Sequence, residues 1–147
     1  MNIKNVVVVG SGTMGSGIAA QLCNADIPVT LLDLKTEISE KAKKGIFESR
    51  PPLLIDKSKI NNIRAGNIEE NFDLVKTADW IVEAVVEKID IKHNLYEKIL
   101  KTRKKDSIIS SNTSTIPLKV YQKKCPKKIK EIFALHIFSI RFDIWVY

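Results

Sequence analysis

A single-domain α/β fold with a doubly wound parallel sheet is what this sequence of 147 residues predicts. Three observations carry it. Short β-branched apolar runs alternate with segments of helical periodicity, the first run ends in a glycine-rich loop, and the second ends in a carboxylate. The length suits one ordinary domain and is too short for two well-packed ones.

The elements follow in order. Residues 3–9 form an apolar run suited to a central strand buried on both faces. Residues 13–25 read as a helix, with Met14, Ile18, Ala19, Leu22 and Cys23 on neighbouring faces. Residues 28–33 are a second strand. Residues 36–49 are a charged amphipathic helix with Ile38, Ala42 and Ile46 inward, broken by Pro51-Pro52. Residues 51–78 are less legible: Leu53-Leu54-Ile55 is apolar, and one strand is expected at 63–68. Residues 80–86 read as a buried strand and 89–100 as a helix with Ile91, Leu95 and Ile99 on one stripe. A strand at 107–111, part of a helix at 118–122 and a last strand at 131–135 complete the pattern. Such alternation argues for βαβ units with right-handed crossovers.

Composition narrows the function classes. With 44% hydrophobic and 28% charged residues, the chain reads as globular rather than disordered. No stretch approaches the ~18 uncharged apolar residues of a membrane span, and the first residues match neither a signal nor a transit peptide, so no membrane partner is expected. Cys23 and Cys125 lack disulfide or metal-ligand spacing, which points to a reducing cytoplasm, free thiols and no metal. The net charge of +7 is local: residues 1–100 carry 13 basic and 14 acidic side chains, whereas residues 101–130 carry 10 basic and one acidic. That segment reads first as solvated surface and second as an anion contact. Nucleic acid is disfavoured because no aromatic residues interleave with the charges.

Val9-Gly10-Ser11-Gly12-Thr13-Met14-Gly15 places GxGxxG between a strand and a helix. Gly10 permits the tight turn, Gly12 lets backbone approach a pyrophosphate, and Gly15 lets helix and strand pack. The helix N-terminus offers unpaired N–H groups and a positive dipole end to phosphate. Asp33 ends the second strand 18 residues after Gly15, where its carboxylate would accept both ribose hydroxyls. A carboxylate there repels a 2′-phosphate and favours NAD, while Lys35 leaves NADP open. A Rossmann-type, NAD-binding domain is therefore expected over residues 1–136.

At this point the sequence resembles the NAD-binding domain of 3-hydroxyacyl-CoA dehydrogenases. The loop 9–19, the segment Ala78-Asp79-Trp80-Ile81-Val82-Glu83-Ala84-Val85-Val86-Glu87, the segment Ser111-Asn112-Thr113-Ser114, and Phe133-Ala134-Leu135-His136 carry the likeness together. The resemblance implies oxidation of the 3-hydroxyl of an acyl-CoA in fatty-acid β-oxidation, with hydride passing to NAD. It implies that Ser11, Thr13 and Met14 belong to the cofactor loop. Glu87 and Lys92 match residues at the nicotinamide ribose and the mouth of the site. Lys92 could equally pair with Glu87 or phosphate, or both could be a solvated helix start. Ser114, with Asn112 beside it, matches the serine that contacts the substrate oxygen, although Ser-Asn-Thr-Ser could simply cap a helix. His136 matches the catalytic base. A histidine suits that task because its unperturbed pKa of about 6.5 lets it take a proton near neutral pH. Read without the family, a lone histidine after an apolar strand is more often structural.

The likeness breaks after His136. The family continues with Phe-Phe-Asn-Pro, an orienting glutamate and a helical domain, whereas this sequence reads Ile137-Phe138-Ser139-Ile140-Arg141-Phe142 and ends at Tyr147. Residues 138–145 back-translate, with one permitted set of codons, to bases whose shifted frame reads Phe-Asn-Pro-Phe-Arg-Tyr-Met. A one-base frameshift is thus expected, with 137–147 an aberrant tail and the helical C-terminal domain missing. On that expectation, isolated activity is doubtful. A separately encoded C-terminal half is one partner to consider, and acyl-CoA is the implied substrate. The alternatives are a non-catalytic dinucleotide-binding module, the product of a decaying gene, or a basic anion- or RNA-binding protein using residues 101–130.

Overall fold

The computed structural model describes residues 3–113 and the backbone of residues 132–134. Six strands form one sheet: β1 Val6–Val9, β2 Val29–Asp33, β3 Ile63–Asn67, β4 Trp80–Glu83, β5 Ile108–Ser111 and β6 Ile132–Ala134. Their spatial order is β3-β2-β1-β4-β5-β6, and every neighbouring pair is parallel. Val6 lies level with Val29 on one side and Trp80 on the other, so β1 is the central strand from which the chain winds outward twice. The boundary between β1 and β4 is the point where the winding reverses, and such sheets bind ligands at the carboxyl ends of the strands there.

The alternation of β1 explains why a strand of four valines is stable. Val7 and Val9 pack with Phe72, Ile81, Tyr96 and Ile99 on one face, while Val6 and Val8 pack with Ile18, Leu31, Ile46 and Ile63 on the other. Helices α1 Thr13–Asn24, α2 Thr36–Glu48, α3 Ile68–Asn71 and α4 Ile89–Thr102 connect the strands.

Three expectations need correction. Strand 80–86 stops at Glu83, because the Val85 N–H turns to the Glu83 side chain at 2.9 Å instead of continuing the ladder. Strand 3–9 likewise shortens to Val6–Val9. In α2 and α4, Ile38 and Ile91 do not face the core: they are 42% and 44% exposed. The helical period puts them in line with buried residues, but the side chains themselves stay partly open to solvent.

The less legible segment is built from polar caps. Asp56 accepts from the Ser58 N–H and starts a 3-10 turn at Lys57–Asn62; Asn67 accepts from the Glu70 N–H and starts α3. A second 3-10 turn, Phe72–Lys76, buries Phe72 and Val75. The expected strand at 63–68 is present as β3, while the helix expected at 118–122 lies outside the described residues. Among the described residues, no helix is long and apolar enough to cross a membrane, and no group of three or more His, Cys, Asp or Glu could hold a metal ion. Cys23 is buried, and that burial pushes its thiol up to about 11.

Asp79 ties the start of β1 to the far end of α4. Its Oδ2 accepts from the Lys4 and Asn5 N–H groups at 2.8 and 3.0 Å, and its Oδ1 pairs with the Lys104 ammonium. Hydrogen bonding from Lys104, and then from the Lys4 backbone, holds the Asp79 carboxyl below the usual carboxylate value. A carboxyl whose folded pKa is lowered contributes stability above its unfolded pKa of ~4 and loses it as pH falls through the folded value. The wild-type chain is therefore expected to lose its stability advantage over Asp79→Asn on acidification from pH 6 to 3. Urea unfolding midpoints of both proteins across that window measure it, and a constant difference would contradict it.

Candidate functional site: a dinucleotide cleft

The glycine turn has the geometry a phosphate cradle needs. Gly10 adopts φ +103°, and a Cβ there would overlap the Ala84 carbonyl. It therefore serves two ends: the left-handed backbone and the close approach of β1 to the segment after β4. A Cβ on Gly15 would overlap the Gly10 carbonyl, so this glycine locks the helix against the turn. Gly12 is different. No atom lies within 4 Å of a Cβ built there, it is exposed, and no side chain caps α1 at this end. The space over the helix N-terminus is open to a phosphate. Thr13 is exposed and Met14 half-buried beside it.

Asp33 stands at the end of β2, as expected, but already has three donors. Its Oδ2 accepts from the Ser11 N–H at 2.7 Å and the Ser11 hydroxyl at 2.6 Å, and its Oδ1 accepts from the Leu34 N–H at 2.7 Å. A carboxylate offers about four acceptor sites, so two ribose hydroxyls fit only when the Ser11 hydroxyl turns away. Between Asp33 and α4 lies a cleft of about 500 Å³ whose lining includes Gly10, Gly12, Asp33, Ile38, Ile91 and Lys98. Ile38, expected inward, and Ile91 thus line this cleft rather than the core.

Beyond the cleft, at the carboxyl ends of β4 and β5, lies a buried charge cluster. The Lys92 side chain is fully buried and its Nζ pairs with Glu83 Oε2 at 3.2 Å and Glu87 Oε1 at 3.1 Å. Glu83 is also fully buried. Its Oε2 accepts from the Tyr96 hydroxyl at 2.7 Å and the Ser111 hydroxyl at 2.6 Å, and its Oε1 from the Val85 N–H. Glu87 is 36% exposed at its side chain and accepts from the Thr113 hydroxyl at 3.0 Å. Of the partners the sequence left open for Lys92, Glu87 is present at 3.1 Å, and a solvated helix start is ruled out for Lys92 by its burial. It missed Glu83, Tyr96, Ser111 and Thr113 as members of one network. The available signals were a lone carboxylate in the apolar run Trp80–Val86 and the i, i+4 spacing of Lys92 and Tyr96 on α4.

Asn112 joins this region through its N–H, which donates to the Glu83 carbonyl at 2.8 Å. Ser114 and His136 lie outside the described residues. Of the basic segment, the described portion is partly internal: Lys104 pairs with Asp79, and Arg103 donates to the Ser107 carbonyl at 2.8 Å.

Residues 5–140 match the family model of the 3-hydroxyacyl-CoA dehydrogenase NAD-binding domain. The chain belongs to that family. A Rickettsia felis protein described as a fatty acid oxidation complex trifunctional enzyme is 43% identical over 145 residues, covering 93% of this chain and 20% of the relative. A Deinococcus radiodurans protein named a probable 3-hydroxyacyl-CoA dehydrogenase is 45% identical over 125 residues, covering 80% and 36%. The chain thus spans between a fifth and about a third of these relatives' lengths. The crystal structure of 3-hydroxybutyryl-CoA dehydrogenase from Escherichia coli shares the fold, with a TM-score of 0.79 at 24% identity over 95% of this chain and 30% of that one. The family's domain binds NAD, and the residues present fit that cofactor: the open position at Gly12 suits a pyrophosphate, and Asp33 suits a ribose.

Proposed function

We propose that this chain is the NAD-holding part of a 3-hydroxyacyl-CoA dehydrogenase working in fatty-acid β-oxidation in a reducing cytoplasm. The observation that carries the reading is the unfilled space at Gly12, at the winding reversal of the sheet and facing the same cleft as Asp33. NAD, when bound, supplies the hydride acceptor. The chain's own residues do the rest. Gly10, Gly12 and Gly15 shape the phosphate turn with Ser11, Thr13 and Met14, and Asp33 selects a ribose without 2′-phosphate. Glu87 and Lys92 border the second nucleotide. Asn112 and Ser114 orient the substrate oxygen, and His136 takes the hydroxyl proton.

Residues 1–136 form the cofactor unit in this proposal, and 137–147 contribute nothing to it. The acyl-CoA site is completed by the part of the relatives' length that this chain does not span, whether joined to it or supplied as a separate half. Orientation supplies much of such a reaction's rate, so the 147-residue chain by itself should bind NAD yet turn over slowly.

Calorimetric titration with NAD and NADP tests the cofactor assignment. Asp33→Ala is expected to weaken NAD about tenfold and to erase most of the discrimination against NADP, the size of one or two lost hydrogen bonds to a charged group. Equal NAD affinity in the variant would overturn Asp33's role. Turnover of acetoacetyl-CoA with NADH at the rate of a full-length relative would overturn the need for a second part.

A further inference from the structure

We propose that the Ser11 hydroxyl is a built-in competitor of the ribose. It holds the Asp33 oxygen that one of the two ribose hydroxyls needs, and so keeps the grip on NAD loose enough for release. The inference deepens the cofactor reading above and rests on it.

Acceptor capacity sets the conflict. A carboxylate offers about four acceptor sites, two on each oxygen. Both sites on Asp33 Oδ2 are taken by one residue, through the Ser11 N–H at 2.7 Å and the Ser11 hydroxyl at 2.6 Å. Oδ1 accepts from the Leu34 N–H at 2.7 Å. Among the described residues these are its donors, so one site remains, on Oδ1. A ribose brings two hydroxyls, and one of the three donors must leave before both can bind.

The three donors differ in their freedom to leave. Leu34 follows Asp33 in the chain, so its N–H moves with the carboxylate it serves. The Ser11 N–H belongs to the glycine turn, whose backbone is pinned on both sides. The Gly10 N–H donates to the Leu32 carbonyl at 2.8 Å, and the Ser16 hydroxyl donates to the Ser11 carbonyl at 3.0 Å. Only the Ser11 hydroxyl can swing away, by changing one rotamer. Its short bond to a charged acceptor is of the strong kind, so the second ribose hydroxyl gains only the difference between two like bonds. Ser11 is 6% exposed, so a hydroxyl that turns away finds little water, and the exchange costs NAD affinity. Ser11 and Asp33 line the same cleft, which puts the exchange where the ribose is expected. Product release limits turnover in many enzymes, and a weaker grip shortens that step.

The test is calorimetric titration of the full chain with NAD and with its two analogues lacking the 2′- or the 3′-hydroxyl of the adenosine ribose. Ser11→Ala frees the acceptor site and is expected to tighten NAD about fivefold, the net size of one hydrogen bond exchanged against water. That gain is expected to vanish with the analogue lacking the hydroxyl that faces Oδ2 and to persist with the other. Added to Asp33→Ala, the same change should leave the NAD Kd within about twofold, since the contested oxygen is gone. A merely structural role for Ser11 would move all three ligands alike. Unchanged or weaker NAD binding in Ser11→Ala, or an equal effect on both analogues, overturns the proposal. If Ser11→Ala does not fold, Ser11→Gly, which also lacks the hydroxyl, carries the same comparison. Failure of the unmodified chain to bind NAD at all would instead overturn the cofactor reading on which this inference stands.

Discussion

Gly15→Ala is expected to abolish stable folding, while Gly12→Ala, three residues away in the same loop, is expected to leave folding intact and abolish NAD binding. At Gly15 the new Cβ would overlap the Gly10 carbonyl, a backbone atom held in turn by a hydrogen bond from the Gly10 N–H to the Leu32 carbonyl at 2.8 Å. Neither the turn nor the helix can retreat without breaking the approach of β1 to α1. Overpacking against backbone costs about 3 kcal/mol or more, a large share of the roughly 5–15 kcal/mol that holds a domain together. At Gly12 no atom lies within 4 Å of the added methyl, so the fold barely registers it. The methyl instead enters the space over the helix N-terminus, where the pyrophosphate must come within hydrogen-bonding distance of backbone N–H groups. Thermal unfolding and NAD titration of the two variants separate the effects. A Gly12→Ala protein that binds NAD normally would mean that the phosphates lie elsewhere.

Lys92→Ala should be among the most damaging single changes to a charged residue of this chain. It leaves Glu83 fully buried with its hydroxyl donors but without its cation, and breaking a buried pair in this way costs about 3–5 kcal/mol. Glu87→Gln removes a partner of the same lysine at a site in contact with solvent and is expected to cost about 1 kcal/mol or less. Urea unfolding of both variants, analysed for midpoint and slope, measures the contrast. Equal and small losses would show that water reaches the Glu83–Lys92 contact. The contrast also bears on function, since the same lysine fixes the outward carboxylate at the ends of β4 and β5.

The fold was legible because its signals are local. A run of four valines, a glycine loop and a carboxylate at the second strand's end each follow from the chain's own period and turn chemistry. Gly10, Gly12, Gly15 and Asp33 take the positions their spacing implied. The segment 51–78 was harder because side chains such as Asp56 and Asn67 start its turns, and caps of that kind leave no periodicity to read.

Ile38 and Ile91 mark where pattern reading failed. A helical stripe is a statement about one helix, whereas burial depends on what a neighbouring element places over it. Among the described residues no element covers them, and the apolar surface lines the cleft. Glu83 failed for the complementary reason. A lone carboxylate within an apolar run gives no local sign of its partners until the Lys92 and Tyr96 side chains, 9 and 13 residues on, and Ser111, 28 residues on, converge on it.

The sequence by itself therefore determined the parallel sheet, the glycine turn after β1, the carboxylate that ends β2 and the family to which the chain belongs. Those rest on spacings within one stretch of chain. Only the tertiary structure decided that Ser11 donates twice to Asp33, and that two isoleucines line a cleft. It alone showed one ammonium shared between a buried and an outward carboxylate. Each of these depends on atoms brought together from distant positions. Their energies come from desolvation and shared acceptor sites, quantities that no spacing in the chain encodes.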